Sequence, residues 1–164
     1  MNLYRLSHIG IIVVVIAAML FAILYLEGVL YLDPCPLCLV DRAIFVLIAL
    51  VSLLAVLHNP GVVFRWVYTI LGGLLCLVGV GVAARHIWLQ GLPPDQVPEC
   101  GPDLIYMLDV FPLNDVIKKI FTGSGQCAEV SWAFLGLTIP EQTLLLFLFL
   151  LVIVIFAHRV ASKR

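Results

Sequence analysis

Apolar positions along this chain fall into long blocks, with neither the alternation of a half-buried strand nor the narrow stripe of a surface helix. Residues 9–26 carry no charge, and residues 39–57 carry only Asp41 and Arg42, both in the first turn. Residues 66–84 are again uncharged, and a shorter run at 144–157 becomes a full span when its flanks extend it to 141–160. A helix needs about 20 apolar residues to cross roughly 30 Å of hydrocarbon, and modest mismatch is absorbed at the ends. The pattern therefore predicts an all-α membrane protein, residues 1–164 forming a single integral membrane domain built as a four-helix transmembrane bundle. The first block is too long for the apolar core of a signal peptide and no small-residue cleavage site follows it, so it reads as an uncleaved anchor.

Two outer loops follow from these spans, a short one at 27–38 and a long one at 85–140. The long loop starts with a stretch that disfavours regular helix, containing Pro93, Pro94, Pro98 and Pro102. Beyond it, Leu113, Val116, Ile117, Ile120 and Phe121 recur at i, i+3, i+4, i+7 and i+8, opened by Asn114 or Asp115 and closed near Gly123. This spacing predicts a short amphipathic helix, and periodicity alone leaves open whether its apolar stripe lies in the membrane interface or packs against the bundle. The loop is too small to build a good core by itself.

Composition agrees with the pattern: 63% of residues are hydrophobic and 12% charged, against about 25% charged in soluble domains. The charges are also unevenly placed. With four spans, residues 1–8, 58–65 and 158–164 share one side, which holds Arg5, Arg65, Arg159, Lys163 and Arg164 and no acid. All ten Asp and Glu lie on the other side or at its membrane edge. Acidic residues weigh little in topology, so orientation rests on those five basic residues against Arg42, Arg85, Lys118 and Lys119, and both termini are expected in the cytoplasm. Cys35, Cys38, Cys100 and Cys127 then face the outer compartment, where oxidising conditions let thiols pair. Cys76, in the middle of the third span, reads as a packing residue.

Candidate chemistry begins at Cys35-Pro36-Leu37-Cys38. Two cysteines three positions apart at a helix start are neighbours on its first turn, and the partial positive charge there favours thiolate over thiol. Pro36 suits a helix entry, where its missing N–H costs nothing. Arg42 is four residues beyond Cys38 and on its helical face, where it either stabilises a thiolate or anionic ligand or snorkels to the interface. Asp41, one step away, is expected to point to a different side. A bridge across two residues stabilises little by loop closure, so this pair points to redox or metal chemistry. Cys100 and Cys127, if joined, would staple the long loop by about 3–4 kcal/mol. The four together also have the composition of a tetrahedral zinc site, although such sites usually use two tight pairs, and these two are far apart. His86, beside Arg85 at the outer end of the third span, is either an interfacial polar residue or a donor to a carbonyl-bearing ligand. With Trp88 and the segment from Cys38 to Arg42 it would frame an apolar pocket with a few polar groups.

Taken together, Cys35-Pro36-Leu37-Cys38 with Asp41-Arg42 at the second span, Cys100 in the long loop, and Cys127-Ala128-Glu129 leading through Trp132 and Phe134-Leu135-Gly136-Leu137 into the last span resemble the DsbB family of disulfide-bond-forming membrane proteins, over essentially the whole length. The resemblance implies a protein of the bacterial inner membrane, with its cysteine loops in the periplasm. It implies a thiol:quinone oxidoreductase that reoxidises a soluble DsbA-like, thioredoxin-fold partner and passes two electrons to a membrane quinone, ubiquinone or menaquinone. The implied catalytic residues are Cys35, Cys38, Cys100 and Cys127. The partner attacks a Cys100–Cys127 disulfide at Cys100, and the freed Cys127 attacks Cys35 and releases Cys38 beside the quinone. Arg42 and His86 are the implied quinone-binding residues. The stretch 122–126, with two glycines, gives Cys127 the freedom to visit both partners, and the amphipathic helix is expected on the membrane surface. The implied partners are the thioredoxin-fold protein, the quinone and the lipid bilayer, with no nucleic acid and no resident metal.

Three other readings predict different behaviour. A vitamin K epoxide reductase-like enzyme would carry its CxxC in the last span, whereas here the motif opens the second. A relative of DsbB devoted to one special partner would share all these residues. A membrane anchor with stapled loops, or a zinc module, would transfer no electrons.

Overall fold

The computed structural model describes residues 3–93, 95–97, 109–112, 114–115 and 125–162. In chain order the elements are α1 (Leu3–Leu20), continued by a π-helical run (Phe21–Glu27), α2 (Pro36–His58), α3 (Val62–Gln90), a one-turn α4 (Gly125–Ala128), the strands β1 (Ala133–Phe134) and β2 (Leu137–Thr138), and α5 (Ile139–Ser162). Four of these helices are long and apolar enough to cross a membrane, α1 together with its π-helical run, α2, α3 and α5. Each begins or ends several residues outside its uncharged block, because helical hydrogen bonding continues into the interface, where polar side chains are tolerated. The predicted amphipathic helix at 113–121 lies almost entirely outside the described residues.

One stripe of each helix is buried. Tyr4, His8, Ile11 and Val15 form it on α1, and Leu37, Asp41, Ile44, Phe45, Ile48, Val51, Ser52 and Ala55 on α2. Gly72, Cys76, Gly79, Val82, Ala83, His86 and Leu89 form it on α3. The other faces are just as apolar yet open: Leu24 is 62% exposed, Val63 73% and Val152 64%. Apolar surface on this scale suits hydrocarbon as solvent and makes the chain a multi-pass membrane protein. The long helices form a closed ring in which α1 touches α2 and α5, and α3 touches the same two.

Close approach in the ring depends on a missing side chain. Gly79 of α3 lies against the ring of Phe147 of α5, so near that a Cβ there would overlap it. The Phe147 ring in turn stacks on Phe45 of α2, with centroids 4.2 Å apart and planes at 9°. Small residues at helix interfaces do this commonly in membranes, where packing and not water exclusion drives association.

The ends are capped by local chemistry. At the start of α5, Glu141 Oε2 accepts from the backbone N–H of Thr138 at 2.7 Å and from its hydroxyl at 3.0 Å, as in a capping box. Between β1 and β2 the chain reverses through Leu135 (φ 53°) and Gly136 (φ 81°), two consecutive left-handed residues that match the twist of a tight hairpin. The hairpin places Trp132 against the π-helical end of α1, 5.9 Å from Phe21 and 6.4 Å from Tyr25 between centroids.

Candidate active site

Cys35 is the N-cap of α2. Its backbone is extended (φ −67°, ψ 161°), Pro36 takes the first helical position, and Cys35 Sγ accepts from the backbone N–H of Cys38 at 3.4 Å. The cap turns the two side chains toward each other, and Cys35 Sγ donates to Cys38 Sγ at 3.0 Å. Cys127 arrives from the other direction on α4, which packs on α3 and is tied to it by Gln90 Nε2 donating to the Glu129 carbonyl at 3.5 Å. Its thiol is fully buried. His86, in the last part of α3, points its Nε2 at Cys35 Sγ from 3.8 Å. The ligating atoms of Cys35, His86 and Cys127 all lie within 4.8 Å of one another. Hydrogen bonding with Cys127, then with Cys38, and then burial hold the Cys35 thiol well above the ordinary thiol range.

Beside this cluster is a cavity of about 400 Å³ whose wall includes Cys35, Cys38, Asp41, Arg42, His86 and Trp132. That volume falls within the range of about 300–1,000 Å³ typical of small-molecule sites. The apolar part of the wall includes Ala18, Phe21 and Ala22 from the first span, Phe45 from α2 and Leu146 from α5. Arg42 pairs with Glu27, the last residue of the π-helical run, and both side chains are partly buried. Asp41 is buried, and its Oδ1 has no hydrogen-bond partner among the described residues. Asp41 and Arg42, one step apart on α2, both line this cavity.

The structure thus brings together five of the six candidate residues, Cys35, Cys38, Cys127, Arg42 and His86. Cys100 lies outside the described residues, as does any pairing between it and Cys127. Cys76 is buried in the apolar core and is not one of the three clustered ligating residues. Sequence reasoning missed Glu27, whose signal was an acid closing an apolar span near the level of Arg42. It also missed the hairpin carrying Trp132, whose Leu135-Gly136 turn lacks the usual Asn or Asp.

Fold and site together define a polytopic helical membrane protein that holds a cluster of thiols at one end of its bundle, next to an apolar cavity. The sequence model of the family described as Disulfide bond formation protein DsbB matches residues 4–157. Among relatives called Disulfide bond formation protein B, that of Saccharophagus degradans is 50% identical over 135 residues, 82% of this chain and 81% of its own. That of Nitrosococcus oceani is 54% identical over 129 residues, 79% and 76% of the two chains. That of a Psychrobacter species is 42% identical over 163 residues, 98% and 95%. The chain belongs to the DsbB family of disulfide bond formation proteins.

Proposed function

We propose that this protein reoxidises a periplasmic, DsbA-like thioredoxin-fold protein by disulfide exchange and delivers the electrons to a membrane quinone, ubiquinone or menaquinone. In this reading it sits in the bacterial inner membrane with both termini in the cytoplasm and its cysteines on the periplasmic side. The observation that carries it is the juxtaposition of Cys127 with Cys35, which itself lines the cavity.

Electrons enter when a partner thiolate attacks Cys100 of a Cys100–Cys127 disulfide, forming a mixed disulfide and freeing the Cys127 thiolate. Cys127 Sγ then attacks Cys35 of a Cys35–Cys38 disulfide, so a Cys127–Cys35 bond forms as the Cys35–Cys38 bond breaks and Cys38 leaves as thiolate. The second partner thiol resolves the mixed disulfide at Cys100, and the Cys100 thiolate so released attacks Cys127, re-forming the Cys100–Cys127 bond as the Cys127–Cys35 bond breaks and leaving the two electrons on reduced Cys35 and Cys38. Geometry favours Cys38 as leaving group, since it lies in the first turn of α2 and lines the cavity, where the helix terminus and Arg42 favour negative charge. Cys35 is the buried member of the pair and is held as a thiol when reduced.

The cavity fits a quinone on its chemistry: apolar walls for a ring and tail, N–H groups of Arg42 and His86 for ring oxygens, and an unpartnered Asp41 oxygen. When bound there, a quinone supplies a two-electron acceptor. Arg42 and His86 orient it, Glu27 positions Arg42, and Trp132 with the π-helical run keeps water out.

The test is to mix detergent-purified protein with a reduced DsbA-like dithiol and a soluble quinone and follow quinone absorbance. Wild type is expected to reduce the quinone, and Cys38→Ser and Cys100→Ser are each expected to lose activity. Absence of quinone reduction by wild type with every dithiol and quinone tried would overturn the proposal.

A further inference from the structure

The thiols of the exchange pathway share their site with an imidazole, and although exchange requires Cys127 to meet Cys35, it does not require an imidazole nitrogen at the same point. Cys35 Sγ, Cys127 Sγ and a His86 ring nitrogen lie within 4.8 Å of one another, all three residues buried. In a tetrahedral zinc site with Zn–S of about 2.3 Å and Zn–N of about 2.0–2.1 Å, neighbouring ligand atoms are roughly 3.5–3.8 Å apart. The Cys35 Sγ to His86 Nε2 separation is 3.8 Å. Cys127 Sγ is within 4.8 Å of both of these atoms, at most about 1 Å beyond the ligand spacing of such a site. We infer that the reduced form of this site binds one zinc(II) ion through Cys35, Cys127 and His86, and that the bound ion holds the protein in an exchange-incompetent state.

Charge and softness both select this ion class. Two thiolates and one neutral imidazole cancel the charge of a divalent ion, so the complex is neutral, which matters where each unpaired buried charge is expensive. Sulfur and imidazole donors suit zinc and exclude magnesium and calcium, which require oxygen ligands. Asp33, Asp41 and Glu129 line the cavity, and none of their carboxyls belongs to the three-atom cluster. Cys38 Sγ, 3.0 Å from Cys35 Sγ, stands outside the three-atom cluster. Binding displaces one proton from each of Cys35 and Cys127 and changes no oxidation state. It is redox-gated, because a disulfide at either cysteine removes a ligand. Once ligated, Cys127 has no lone thiolate with which to attack, and Cys35 is no longer available as its target.

The experiment uses the full chain in detergent, reduced with a phosphine, with cobalt(II) as spectroscopic probe and neither quinone nor partner present, so its outcome is independent of the proposed electron route. Reduced wild type is expected to develop a thiolate-to-cobalt charge-transfer band and tetrahedral ligand-field bands, saturating at one ion per chain and abolished by excess zinc(II). Disulfide-oxidised wild type is expected to show neither. Cys127→Ser is expected to lose the charge-transfer band, whereas Cys100→Ser and Cys76→Ser keep it. His86→Ala is expected to weaken binding by more than about 100-fold, beyond the roughly 10–100-fold cost of losing an outer-shell partner. His86→Cys is expected to restore binding with a stronger charge-transfer band, which separates ligation from misfolding. No band in the reduced wild type, a band that survives Cys127→Ser, or one that disappears in Cys100→Ser overturns the inference.

Discussion

In the proposed exchange, Cys35 serves the fold and the chemistry with the same atom. Its Sγ caps α2 by accepting from the Cys38 N–H, and that bond also sets the thiols facing each other. Serine is a good N-cap and alanine a poor one. Cys35→Ser is therefore expected to abolish exchange while keeping the thermal unfolding midpoint in detergent near wild type. Cys35→Ala is expected to abolish exchange and to lose about 1 kcal/mol of stability as well. Equal midpoints for the two variants would remove the capping role. Arg42 is constrained in a related way by Glu27, which ends the π-helical run and fixes where the guanidinium points. Glu27→Gln is expected to cost little stability, about 1 kcal/mol or less for a partly exposed pair. In the proposed reaction it is expected to raise KM for quinone several-fold, with the rate of thiol exchange between Cys127 and Cys35 unchanged in single-turnover assays. A slowed exchange step with an unchanged KM would assign Glu27 to the thiols instead.

At the scale of elements, the contact that decides the bundle is Gly79 on Phe147, continued by the Phe147–Phe45 stack. An aromatic ring cannot shrink from an added methyl, so Gly79→Ala must displace Phe147 and, through it, Phe45 next to the cavity. The expected loss is about 1–3 kcal/mol, the usual cost of overpacking, read as a lower thermal midpoint in detergent. Gly81→Ala is the control: a Cβ there meets nothing within 4 Å, and alanine is the better helix former, so its midpoint should stay or rise. Both glycines stand in one apolar run of α3, and nothing in that run distinguishes them. The capping box of α5 is a local feature that the reading of the sequence did not take up: Thr138 followed three residues later by Glu141. The hairpin before it was not legible there, since Leu135 adopts a left-handed backbone that its side chain disfavours and the turn is kept by packing of its flanks.

For the whole molecule, the polar and charged groups divide between the two ends of the bundle. One end collects the thiols, His86, Asp41 and the Glu27–Arg42 pair around the cavity. At the other, Arg65 lies over the Tyr4 ring at 5.4 Å, and Thr69 Oγ1 is 3.4 Å from His158 Nδ1. This division is what the charge pattern along the chain anticipates, and it suits a protein whose chemistry faces one compartment.

The sequence by itself determined the number of long helices, the membrane as solvent and the pairing of Cys35 with Cys38. Each of these follows from local rules: a backbone in hydrocarbon must satisfy its own hydrogen bonds, and residues three apart at a helix start are neighbours. Only the tertiary structure decided that Cys127 and His86 converge on Cys35, that Asp41 shares a cavity with Arg42, and that Gly79 receives Phe147. The reason is that lipid and bundle core are equally apolar. A soluble helix announces its buried face by contrast with its wet one, whereas a membrane helix is apolar all round, so the facing of helices is set by shape and is visible only once they pack.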